Sequence, residues 1–221
     1  KAETYYQYLY DIPVDKNGLS SFSLFNTGSG FSRFFPNTLE NKGTGENYGV
    51  ELTLEKGFAN HYYYMLTGSL FDATYKGSNG AKHNTDFNGK YAMNGLFAYE
   101  FVINKKQTLN VGTKITFAGG RWYGNIDTTA SMAAKEVVYK DDSQFNTYQF
   151  KPYFRTDLKI NYKINASKIT HEIGIDLVNL FDTQNTLRYS WVPLAADITK
   201  GTAREEYQLG RLPLFYYKID F

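Results

Sequence analysis

The feature that most constrains this chain is a hydrophobic period of two, sustained over long segments. In "YFRTDLKINYK", Phe154, Thr156, Leu158, Ile160 and Tyr162 share one face, and Arg155, Asp157, Lys159, Asn161 and Lys163 share the other. A helix would spread these charges around its circumference, whereas successive strand residues point to opposite sides. The same alternation sets Tyr48, Val50, Leu52 and Leu54 against Glu51, Thr53 and Glu55, and Leu109, Val111, Ile115 and Phe117 against Asn110, Lys114 and Thr116. Tyr91, Met93, Phe97, Tyr99 and Phe101 oppose Asn94 and Glu100, and Ile173, Ile175 and Leu177 oppose Glu172 and Asp176. In the first strand and in "YYYMLTGSLFDATY" the pattern leaves the facing open.

About eight strands follow, at 3–14, 45–58, 61–76, 89–103, 107–118, 148–163, 168–181 and 212–221. The connections alternate. "GFANH", "INKKQT" and "INASK" are short, while 15–44, 77–88, 119–147 and 182–211 are long and rich in Gly, Asn, Asp and Ser. Short turns at one end and long loops at the other is the pattern of an outer-membrane barrel. A soluble sandwich, the competing all-β reading, has short connections at both ends and shorter strands. Composition agrees with lipid on one side: 20 Tyr and 17 Phe supply rings suited to membrane interfaces. No apolar run is long enough for a membrane-spanning helix, but a spanning strand needs only about 9–11 residues. Phe58, Tyr62, Phe101, Tyr162 and Phe221 would form the girdle at the short-turn end, and Tyr48, Phe117, Tyr153 and Phe154 the one at the long-loop end.

Eight strands suit either a complete small barrel or the last part of a larger even-stranded one. A small barrel fills its interior with side chains, and the inward faces here mix Gly, Ala, Asn and charges with no filling pattern. The chain also opens on Lys1 at a strand start, which reads as a beginning downstream of the natural one. In their order along the chain, "LENKGTGENYGVELTLEKGF", "GSLFDATYKGSNG", "FAGGRWYGNID", "YFRTDLKINYK", "DLVNLFDTQN" and "YQLGRLPLFYYKIDF" resemble the C-terminal barrel of TonB-dependent outer-membrane receptors, in particular those of Bacteroides-type bacteria. The resemblance covers nearly all of residues 1–221. It implies an all-β, antiparallel transmembrane barrel of about 22 strands with a plugged lumen, of which this chain is the C-terminal segment without the plug. It further implies residence in the outer membrane of a Gram-negative bacterium and uptake of a nutrient such as an iron chelate, cofactor, glycan or peptide. The implied partners are outer-membrane lipid, the missing N-terminal strands and plug, TonB through that plug, the barrel-assembly machinery and a surface lipoprotein. The alternative is a stand-alone eight-stranded outer-membrane barrel with a structural or adhesive role.

Several chemistries are disfavoured. The charge balance of 24 basic against 22 acidic groups lacks the basic excess that nucleic acid requires. With no cysteine there is neither a disulfide framework nor a thiolate metal site. His61, His83 and His171 show no metal-ligand spacing, and nothing signals a bound cofactor. The carboxylates Glu51, Glu55, Asp157, Asp176 and Asp220, with Arg155, Lys159 and Lys218, read as lumen charges paired across strands rather than acid–base catalysts, so no enzyme is expected. "GTGENYG" opens a strand rather than a helix and does not cradle a phosphate. Ligand contact falls to the long loops, where Arg121, Trp122 and Tyr123 of "GGRWYGN" and Arg188, Tyr189 and Trp191 of "LRYSWVP" are candidates alongside plain loop–loop packing. At the end, Phe215, Tyr217, Ile219 and Phe221 alternate towards lipid and resemble the C-terminal signal read by the barrel-assembly machinery.

Overall fold

The structure, a computed structural model, describes residues 1–27, 36–194 and 197–221. Residues 28–35 of the expected 15–44 loop lie outside the described residues. In chain order the strands are β1 (Ala2–Asp15), β2 (Leu39–Ala59), β3 (Tyr62–Lys76), β4 (Lys82–Asn84), β5 (Tyr91–Asn104), β6 (Gln107–Ala118), β7 (Trp122–Tyr123), β8 (Tyr148–Gln149), β9 (Tyr153–Asn165), β10 (Thr170–Val178), β11 (Thr186–Leu194), β12 (Asp197–Tyr207) and β13 (Leu212–Asp220). One short helix, α1 (Thr128–Ala134), follows β7. Eight of the strands form one antiparallel sheet in the order β1-β2-β3-β5-β6-β9-β10-β13, with β4 added beside β3. The sheet is open: β1 and β13 stand at opposite edges and do not pair.

All eight expected strands are present, with shifted limits. β2 begins at Leu39, because Leu39, Glu40 and Asn41 pair with Asp15, Val14 and Pro13. The expected strand 148–163 divides into β8 and β9, since Tyr148 and Gln149 pair with β7 instead of continuing the wall. The expected loop 182–211 contains the β11–β12 hairpin, in which Arg188–Pro193 pair with Glu206–Gly201. The sequence hides this hairpin because Ser, Pro, Gly and charged residues interrupt any apolar alternation there.

Register fixes the facing that the pattern left open. Leu66 of β3 lies opposite Leu54 and Gly95, and Leu70 lies opposite Val50 and Tyr91. Tyr62, Tyr64, Leu66 and Leu70 therefore share the apolar face, and Thr67 and Ser69 the polar one. In β1, Thr4 and Tyr6 lie opposite Val50 and Tyr48 on the apolar side, and Tyr5 and Gln7 opposite Gly49 and Asn47 on the other. The apolar side then runs unbroken through Leu52, Leu66, Phe97, Ile115, Ile160, Ile173 and Phe215.

No second layer covers this face among the described residues. Among the described residues the buried apolar side chains are only Ile12, Val14 and Tyr75, while Leu52, Leu66, Phe97, Ile173 and Phe215 are each 45–78% exposed. A water-soluble chain of this length would bury such side chains in a core. A single sheet that turns them all outward needs an apolar solvent, which is the bilayer. Lys56 shares the outward face near the short turn, yet its Nζ bends back to the Ala59 and Tyr62 carbonyl oxygens (2.7 and 3.2 Å) and lies 3.5 Å from the Tyr62 ring centroid. That is how a lysine at a membrane boundary keeps its charge wet. The turn beneath it is tight, with Asn60 and His61 both at positive φ as a two-residue hairpin of primed type requires.

The opposite face is polar. Lys159 pairs with Asp176 (3.3 Å) and Lys163 with Glu172 (3.3 Å) across β9–β10, and Glu172 also accepts from Tyr216 (2.7 Å) and Asn161 (3.0 Å). Arg155–Asp157 and Lys218–Asp220 pair along one strand, at spacing two, rather than across strands as expected. Tyr153 also departs from its expected place: it lies opposite Ala118 on the polar face, so Phe117 and Phe154, not Tyr153, carry the upper girdle there.

Where a glycine leaves a hole on the polar face, a cross-strand ring closes it. A Cβ on Gly174 would fall 2.4 Å from the Tyr216 ring, and one on Gly49 2.9 Å from that of Tyr5. Tyr216 and Tyr5 are the directly opposite residues, so the pairs restore the apolar contact that glycine cannot supply.

Candidate functional site

The long connections all emerge at one end of the wall and are bound together there. Asp141 accepts from the Ser20 hydroxyl, the Ser21 amide and the Ser21 hydroxyl, each at 2.6 Å. Asp86 accepts from Asn26 (2.9 Å) and Asn146 (2.7 Å) and faces Arg121 (3.7 Å). The Asn84 and Asn146 side chains each donate to the other's backbone carbonyl. Buried His83 meets the Phe145 carbonyl at 2.9 Å and lies between the Tyr75 and Phe145 rings. Three loops are thus one polar-cored assembly. Fully buried Asn88 extends it into the sheet, its side-chain oxygen accepting from the Ala73 amide just before β5 begins.

The "NLFDTQN" stretch ties the fourth loop to the wall. Asn179 and Asp182 sit at positive φ, a conformation Asn and Asp tolerate better than other side chains. The Asn179 side chain donates to the Thr183 and Leu209 carbonyls, and its backbone amide donates to Asp157. Asn185 pairs its carboxamide with both backbone groups of Phe154 (2.8 and 2.9 Å), as a neighbouring strand would. Such local side-chain bonding is a property of Asn that composition alone does not reveal.

The two candidate loops meet. Tyr123 stacks on Phe150 (4.4 Å between centroids) and meets Tyr189 edge-on at 5.3 Å, with Tyr148 and Tyr139 beside it. Arg121 donates to the Leu187 carbonyl (3.4 Å) and places its guanidinium 4.5 Å from the Phe87 ring centre. Trp122 turns away from this cluster, its indole N–H donating to the Asn88 carbonyl at 2.6 Å. Arg188 pairs with Glu206 across the hairpin (2.8 Å), and Trp191 lies against Gly201, where a Cβ would fall 2.3 Å from its Nε1. Arg188, Tyr189 and Trp191 line a hollow of about 340 Å³ with Lys135, Val137 and Tyr139. Asp86, Asp141 and Asn146, which hold these loops in place, were not singled out by sequence, and His83 was weighed there only as a metal ligand. Only the general density of Asn and Asp in the loops hinted at them.

Burial, and then the hydrogen bond with Tyr123, pushes the Tyr189 hydroxyl up to about 12. Burial, and then the nearby Asp86 carboxylate, does the same for Tyr139. Both groups favour the folded loops only while protonated. Their stabilisation is complete below about pH 10, where a free tyrosine ionises, and is lost as pH rises through about 12. Tyrosinate absorbance should therefore show late-ionising groups, and Tyr189→Phe should remove one of them. A titration with all tyrosines ionising near 10 would contradict the packing.

Asp141→Ala removes three charge-assisted bonds at once and should free the 15–38 connection from the 119–152 one. The expected outcome is a clear rise in proteolytic nicking within 15–38 on intact cells, with the barrel level unchanged. Unaltered nicking would show that Asp141 is not the tie.

A one-layer antiparallel wall, apolar outside and charged inside, with tight turns at one end and bound loops at the other, defines an outer-membrane β-barrel protein. A family model described as TonB dependent receptor-like, beta-barrel matches residues 4–207, and the chain belongs to that family. No curated protein and no solved structure gave a significant match. The family is one of receptors and transporters of the Gram-negative outer membrane rather than of enzymes, and the chain has the role of a receptor barrel.

Proposed function

We propose that this chain is the C-terminal wall segment of a larger receptor barrel that takes up a nutrient in a TonB-dependent manner. The single observation that carries the reading is the bound loop assembly: Asp141, Asp86 and Asn146 fix the loops above a polar wall, and a pre-organised surface is what ligand capture requires. The open edges at β1 and β13 support a larger barrel, completed by further strands and by a plug that contacts TonB. Tyr123, Arg188, Tyr189 and Trp191, with Arg121 and Trp122 holding the loop behind them, form the recognition face in this reading. Phe215, Tyr217 and Ile219 line the outward side of β13, followed by Phe221, as an assembly signal facing lipid would. A Bacteroides-type source and a surface lipoprotein partner belong to the same reading.

Uptake by cells carrying the whole receptor tests it. Radiolabelled iron chelates, cobamides, glycans and peptides are offered with and without a functional TonB. Receptor-dependent accumulation of one class that disappears without TonB is expected. Accumulation indifferent to TonB, or none for any class, would contradict the proposal.

A further inference from the structure

The "GTGENYG" stretch builds more than a strand. Gly45, Asn47 and Gly49 alternate along the lumen face of β2, at the level where the wall reaches the loops. The Phe25 ring covers Gly45, where a Cβ would lie 3.2 Å from its edge, and the Tyr5 ring covers Gly49. Asn47 stands between the two rings. Its amide donates weakly to Gln7 (3.5 Å), while its Oδ1 is buried from solvent and has no partner. Asn26 and exposed Phe87 close the far side of a hollow of about 360 Å³. That volume is within the range of small-molecule sites, about 300–1,000 Å³.

The chemistry of the lining is distinctive. Tyr5, Gln7, Phe25, Asn26, Asn47 and Phe87 supply three rings and three carboxamides, and Ala73 and Thr85 complete the hollow without adding a charge. An anionic chelate calls for cationic groups; none lines the hollow, and the Arg121 guanidinium beside Phe87 is already turned towards Asp86. Carboxamides donate and accept side by side, matching hydroxyl groups that do the same. Aromatic rings that line a hollow offer apolar surface to the apolar faces of a sugar ring.

We propose that this hollow is a binding site for a neutral, hydroxyl-rich ring, a pyranose unit of an uncharged glycan, at the lumen mouth. Tyr5 and Phe25 pack against the ring, and Asn47 Oδ1, with Gln7, takes its hydroxyls, while Asn26, tied to Asp86 through both ends of its carboxamide, holds the wall of the hollow. The inference rests on the uptake reading above and narrows it to one ligand class.

The test uses the whole receptor purified from outer membranes and an array of neutral oligosaccharides: glucans, mannans, xylans and galactans. At least one should bind. Tyr5→Ala and Asn47→Ala should each weaken it at least tenfold, while Tyr5→Phe, which keeps the ring, should change it less than threefold. All variants should match the parent in outer-membrane level and heat-modifiable mobility, and Leu70→Ala on the lipid face should bind as the parent does. Absence of binding across the array overturns the proposal, as does glycan binding unaffected by both alanine variants. If TonB-dependent uptake holds for a chelate, cobamide or peptide instead, the glycan site falls while the uptake reading stands.

Discussion

Leu66→Arg is expected to cost the receptor about 2–4 kcal/mol of folding free energy in a bilayer, the cost of an arginine at the lipid midplane of a barrel. Leu66 lies four residues from Tyr62 at the short-turn girdle and four from Leu70 near the upper one, and it is 49% exposed on the outward face. Thr67→Arg, one residue further, should cost little, because Thr67 faces Thr53 and Asn94 on the polar side. In water the difference would vanish, since neither position lies in a core and replacing an exposed residue by arginine is tolerated. Urea unfolding in lipid vesicles, followed by tryptophan fluorescence, measures both. Equal stabilities, or a less stable Thr67→Arg, would contradict the facing of the wall.

Gly119→Ala should disrupt the joint between the second and third long loops. A Cβ there would fall 1.7 Å from the Gly89 carbonyl oxygen, and one on Gly120 would fall 2.0 Å from the Phe150 carbonyl oxygen. Backbone cannot swing away as a side chain can, so the two loops must part. Forced overpacking costs about 1–3 kcal/mol. The Trp122–Asn88 bond and the Arg121–Asp86 pair depend on the same approach and should loosen with it. Tryptophan emission should shift to longer wavelength and protease should nick within 77–90 or 119–147, while strand content is unchanged. Retained emission and protection in Gly119→Ala would show that the loops do not meet at this point.

The wall was largely legible in the sequence because its physics is local and periodic. A strand facing lipid on one side and water on the other writes its environment into every second residue, as at 153–163. β3 was legible as a strand but not in its facing, since Tyr62, Tyr63 and Tyr64 can each face either way and only pairing with β2 and β5 decides. The β11–β12 hairpin was not legible because Ser, Pro, Gly and charged residues interrupt its alternation, and the break between β8 and β9 was not because it depends on the pairing of β8 with distant β7. The candidate residues fall in the long connections, five of them on the short strands β7 and β11, but the sequence could not show that Tyr123 would meet Tyr189 while Trp122 turned away to Asn88. Nor could it show the hollow beside Asn47, whose members come from β1, the turn Leu24–Asn26, β2, β3 and the 77–90 loop. The glycines of "GTGENYG" acquire a reason only when the rings that cover them are in place.

The central claim is that these eight strands are an arc of a larger barrel rather than a closed one. Spin labels at Thr4→Cys on β1 and Tyr217→Cys on β13 report on it, both on the outward face near the short-turn end. The segment has no cysteine of its own to interfere. In a barrel of about 22 strands the ends of an eight-strand arc are about 40 Å apart, whereas adjacent strands of a closed eight-stranded barrel would hold the labels within about 20 Å. Pulsed electron–electron resonance on the whole receptor in outer membranes is expected to give the long distance. A single population at the short one would show that β1 and β13 close on each other, and would contradict the account.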